Sequence, residues 1–71
     1  MDTRKFVQRL RDFARDNDIP MRVVSERGKG SHRMIYFGDK CSTIPWGQEF
    51  VREGTRRKIL SVLGIDPRAL E

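Results

Sequence analysis

The sequence predicts an α+β fold in which two amphipathic helices cover one face of a three-stranded antiparallel sheet. Apolar residues recur at helical spacing near each end of the 71-residue chain. Three short β-prone runs lie between them. The links joining those runs are hairpin-short, which makes the sheet a meander. A sheet this small needs cover on one face, and the helices supply it, leaving the other face open.

Residues 3 to 17 read as the first helix. Phe6, Val7, Leu10, Phe13 and Ala14 form its apolar stripe, with Arg4, Lys5, Arg9, Arg11, Asp12 and Arg15 outside it. Thr3 or Asp2 caps its start. The run DNDIP ends it, because Asn and Asp favour turns and Pro20 cannot continue a helix. MRVVSER (21 to 27) reads as the first strand. HRMIYF (32 to 37) follows the GKGS loop, and KCSTIP (40 to 45) follows a tight Gly-Asp turn. WGQEFVREG (46 to 54) reads as an irregular connection. The second helix is expected from Thr55 to Leu63, with Ile59, Leu60 and Leu63 on one face and Arg56, Arg57 and Lys58 nearby. Gly64 stands where a left-handed cap belongs. Asp66 and Pro67 then open a last short turn.

Alternation along the second strand puts His32, Met34 and Tyr36 on one face and Arg33, Ile35 and Phe37 on the other. Ile35 and Phe37 are expected under the helices, with Val24 and Ile44 as companions. His32 and Tyr36 then share the open face.

The length suits one domain, 1–71, near the lower size at which a single core suffices. At 37% hydrophobic and 35% charged, the chain is globular rather than disordered. No apolar run approaches a transmembrane helix, and MDTRKFVQRLRDFARD is too charged for a signal peptide. The expected compartment is the cytoplasm, with no membrane partner. Cys41 is the sole cysteine, which excludes an internal disulfide and fits a reducing environment. Fifteen Lys and Arg against ten Asp and Glu give +5, with a pI near 10.1. Such a field favours polyanions, of which nucleic acid is the commonest. No helix combines a basic face with a broad, bulky apolar one, which argues against a membrane surface. A monomer is expected, since no broad apolar stripe is left after the core is assigned.

One His and one Cys cannot build a four-ligand zinc site, and no carboxylate pair has a metal-nuclease spacing. No metal or cofactor is expected. GKG lacks the length and the Lys-Ser/Thr ending of a P-loop. What remains is one imidazole among cations: His32 beside Lys29 and Arg33, with Arg27 across the hairpin. RNA can be cut without metal when a base takes the 2′-hydroxyl proton and cations stabilise the extra charge on phosphorus. Histidine suits that task because its ordinary pKa of ~6.5 lies near working pH. A strand-end histidine is more often an ordinary solvated or hydrogen-bonded residue, and the residues alone favour that reading over catalysis. Tyr36 either stacks a base or is a half-exposed strand tyrosine. Trp46 is a base platform, a plug at the sheet edge or a partner contact. Arg56, Arg57 and Lys58 attract phosphate at a helix start or form a plain solvated face. Glycine at 28 and 30 serves both a tight hairpin and a close phosphate approach.

Lys29, Gly30, Ser31 and His32, then Ile44 and Pro45, then Gly54 and Thr55, then Ile59, Leu60, Gly64 and Ile65, together resemble the HicA family of toxin–antitoxin ribonucleases. In that family Lys/Arg-Gly-Ser/Thr-His opens the second strand, Val/Ile-Pro closes the third, and Gly-Thr begins the last helix. The resemblance covers essentially the whole chain in order. It implies a fold like that of double-stranded-RNA-binding domains (helix, three strands, helix). It implies cleavage of messenger RNA by a toxin, with His32 essential; Lys29, Gly30, Ser31, Arg33, Arg27 and Tyr36 are the residues expected around the RNA. It also implies a HicB-like antitoxin that binds the toxin and blocks its active surface. Many relatives carry a further histidine just after the third-strand proline, where this chain has Trp46 and Gly47. The proton for the leaving oxygen is then expected from Lys29, Tyr36 or water.

Overall fold

The carboxylate of Asp2 opens the first helix. A computed structural model describes residues 2–25, 32–47 and 50–70. In it, Asp2 Oδ1 accepts from the backbone N–H groups of Arg4 at 2.8 Å and Lys5 at 3.2 Å. Two of the donors that a helix start leaves without partners are thereby satisfied. Helix α1 then runs over Thr3–Asp16. Its end uses Asp18, which takes a left-handed backbone with φ 53°. That turn brings the Ile19 N–H to the Ala14 carbonyl at 2.8 Å and tucks Ile19 against the core.

The chain enters an antiparallel sheet of three strands, β1 (Met21–Ser25), β2 (His32–Phe37) and β3 (Lys40–Pro45), in that spatial order. β2 and β3 have the predicted bounds. β1 is described to Ser25, and residues 26 and 27 lie outside the described residues. Helix α2 spans Glu53–Leu63, and a short 3-10 turn, Pro67–Leu70, closes the chain. The Asp66 carboxylate caps that turn, accepting from Arg68 N–H at 2.9 Å. The observed order is therefore the predicted helix, three strands, helix. α2 begins two residues before Thr55: Glu53 supplies an acid to its first turn, and its carboxylate takes the Arg57 guanidinium at 2.8 Å.

The core lies between the sheet and both helices. Phe6, Leu10, Ile35 and Ile44 are sealed from solvent, with Val7, Ala14, Phe37, Ile59, Leu60, Leu63 and Ile65 around them. The Phe13 ring stacks on Phe37 with centroids 6.2 Å apart, locking α1 to β2. α2 lies along β3, and α1 meets the C-terminal turn. There Arg9 Nη1 donates to the Leu70 carbonyl at 2.6 Å. Truncating any of the large sealed residues to alanine is worth ~2–5 kcal/mol.

One expectation needs correction. Val24 does not join the core. It stands opposite Met34 on the helix-free face, 38% exposed, while Val23 stands opposite Ile35 and packs inward. Adjacent valines look alike in a sequence, and only the hairpin register decides which one points inward. The connection after β3 is irregular over its described residues, as expected, but it is anchored. Val51 is buried in the core, and Phe50 forms an isolated antiparallel bridge with Asp2.

The two glycines of α2 should respond oppositely to alanine. Gly64 caps α2 at φ 74°, with the Ile65 N–H bonded to the Leu60 carbonyl at 2.8 Å, and a Cβ there runs into the Lys40 ammonium. Lys40 is flexible and can move, so the cost is the left-handed backbone, ~1–2 kcal/mol for Gly64→Ala. Gly54 lies inside the helix with open space at its Cβ position, so Gly54→Ala should gain ~0.5–1 kcal/mol. Urea unfolding of both variants checks this; equal effects of one sign would contradict the assignment.

Candidate nucleic-acid interface

Because Ile35 and Phe37 turn inward, His32, Met34 and Tyr36 turn outward, away from both helices. The register brings their neighbours onto the same face. Pro45 lies across from His32, Val24 and Thr43 flank Met34, and Arg22 and Cys41 flank Tyr36. Among the described residues, no helix covers this surface. His32, Arg22, Tyr36, Cys41 and Thr43 are all exposed, and Met34 and Pro45 half-buried.

His32 is the first residue of β2 and follows GKGS directly in the sequence. Arg27, Lys29, Gly30 and Ser31 lie outside the described residues. Tyr36 shares the face of His32 but sits four residues along the strand, about 13 Å away at ~3.3 Å per residue. That backbone separation favours Lys29 or water over Tyr36 as the source of the leaving-group proton.

Arg33 points the other way. Its partner across β3 is Ile44, on the helix side of the sheet, and its guanidinium carbon lies 4.0 Å from the centroid of the Trp46 ring. Trp46 packs against the core. The pair is a cation–π contact at the sheet end, so Arg33 must leave the indole to approach a phosphate held at His32. Trp46 therefore serves as a partly buried platform for Arg33. The guanidinium occupies one side of its ring.

Two cationic features were not foreseen. Arg22 carries its guanidinium carbon 5.3 Å from the Tyr36 ring centroid, a pairing invisible until the β1–β2 register is known. In the helical layer, Arg9, Arg56 and Arg57 line a small cavity of about 130 Å³ with Phe6, Leu60 and Leu70. The sequence flagged Arg56, Arg57 and Lys58 at a helix start. The fold places them in the layer behind the sheet, with Arg57 tied to Glu53. Among the described residues, no three His, Cys, Asp or Glu side chains group closely enough to hold a metal ion. Among the same residues, no helix is long and apolar enough to cross a membrane.

A double-mutant cycle tests the clamp. Arg33→Ala and Trp46→Leu should each destabilise, with a coupling of ~0.5–2 kcal/mol between them. Strictly additive losses in thermal or urea unfolding would show that the contact does not hold in solution.

Comparison with protein-family models, curated proteins and solved structures finds no match to this chain.

Proposed function

We propose that this chain is a messenger-RNA-cleaving toxin of the HicA type, working without metal, with His32 as the general base. The observation that supports it best is the position of His32. It is exposed, first in β2, on the helix-free face of a domain with net charge +5. On this reading the imidazole removes the proton of a ribose 2′-hydroxyl, and the freed oxygen attacks the adjacent phosphorus. The bond to the 5′-oxygen breaks, leaving a 2′,3′-cyclic phosphate and a 5′-hydroxyl. Lys29 or water returns a proton to that oxygen.

Charge accumulates on the non-bridging oxygens during attack, and cations beside them lower the barrier. Lys29 and Arg27 take that role, flanking His32 in the sequence, while Arg33 adds positive field from the sheet end. Gly30 and Ser31 let the backbone come close to the phosphate. Tyr36 contacts RNA further along the strand. The protein acts in the cytoplasm as a monomer until a HicB-like antitoxin covers the open face.

A second reading is an RNA-binding module that does not cut: the net charge of +5 and the open sheet face suit gripping RNA as well as cleaving it.

Incubation of single-stranded RNA with the protein in EDTA separates the two. The nuclease reading expects cyclic-phosphate ends from the wild type and a rate ~10²–10⁴-fold lower for His32→Ala, the usual worth of a positioned base. Circular dichroism should show the variant folded. Equal cutting by both proteins removes His32 from the chemistry, and binding without cutting by either selects the module.

A further inference from the structure

We propose that Tyr36 and Arg22 form a subsite for the base of one unpaired nucleotide, at the end of the open face remote from His32. The inference rests on the reading that this face receives RNA, and it adds what the face selects.

Tyr36 is the aromatic residue of the described open face, and its neighbours leave it 41% exposed. Cys41, across on β3, is small and solvent-facing, so it does not cover the ring. On the β1 side the Arg22 guanidinium stands 5.3 Å from the ring centroid. Beside them Pro20, Met21 and Gly38 complete an open concavity of about 420 Å³. Its wall is built rather than loose. The Gly38 N–H donates to the Pro20 carbonyl at 2.8 Å, joining the start of β1 to the β2–β3 turn, and Gly38 holds the left-handed φ of 63° that this turn needs.

An aromatic face, a guanidinium and a short apolar floor match a nucleotide in each part. The ring face away from Arg22 stacks the base, whose π-face every base offers, and the guanidinium over the opposite ring face holds the nucleotide's phosphate. A duplex hides its base faces in the stack, so the occupant must be unpaired. An apolar protein segment would leave Arg22 without a use, which favours the nucleotide. At about 13 Å from His32, the held base belongs to a nucleotide other than the one whose linkage is cut. The subsite therefore sets the placement of the cut along the strand.

Tyr36 is the only tyrosine in the chain, so its ring signals in an NMR spectrum are assigned without ambiguity. Titrating adenosine or uridine 5′-monophosphate, which contain no linkage to cut, should move those signals upfield and to saturation. The movement should be the same in wild type and His32→Ala, and weaker in Arg22→Ala. In the His32→Ala background, Tyr36→Leu should weaken binding of a labelled single-stranded RNA about 5- to 150-fold, the usual worth of one stacked base, whereas Tyr36→Phe should bind as its parent. A saturating shift with no RNA cutting supports the subsite and removes only the nuclease reading. Cutting by the wild type with an unmoved Tyr36 overturns the subsite alone. An unmoved ring and unchanged binding in Tyr36→Leu leave the concavity to a protein partner and also overturn it.

Discussion

Ile35 and Phe37 have one place to go, and their burial decides which way everything else on β2 faces. Ile35 is wholly sealed and Phe37 stacks against Phe13 of α1. Side chains on a strand alternate with a period of two, so a slip of one residue would exchange the two faces. It would bring His32 and Tyr36 under the helices and expose two large apolar groups, at ~1.5–3 kcal/mol each. The imidazole is held in solvent by the packing of its neighbours rather than by any preference of its own.

The helices give one side of the sheet a dry partner and leave the other free. They also hold much of the positive charge. Residues 52–58 alone carry Arg52, Arg56, Arg57 and Lys58 against Glu53. The shortest extent of the molecule is 17 Å, beyond the ~8 Å screening length at physiological salt. Cations in the helical layer therefore steer a polyanion towards the protein at low salt more than they grip it at the sheet. On the proposed reading, grip falls to the residues on the face itself, of which Arg22 is the described cation.

Elements whose signals are local were legible in the sequence. β2 and β3 sit between turn residues and have the predicted bounds. Both helix ends follow from their punctuation, Asp18 in a left-handed turn after α1 and Gly64 after α2. What escaped was set by pairing across the chain. Val23 and Val24 differ only in which stands opposite Ile35. Arg22 meets Tyr36 through the same register, and Arg33 meets Trp46 because the chain leaves β3 at Pro45 towards the core. The early start of α2 escaped for a different reason. Gly54 reads as the end of the connection and Thr55 as the helix start, whereas Glu53 adds an acid to the first turn and pairs with Arg57 one turn on. For the site, the sequence places His32 and Tyr36 on one face correctly, but it carries no information on distance.

The most direct test of the account is chemical and lies in the RNA. The proposed cleavage uses the ribose 2′-oxygen as nucleophile, so one deoxyribose placed at a linkage that the protein is found to cut in all-ribose RNA should abolish cutting there. Neighbouring linkages should still be cut in EDTA, and binding should persist. Continued cutting at the deoxy linkage would mean that water or another group attacks phosphorus, and the role given to His32 would fall with it.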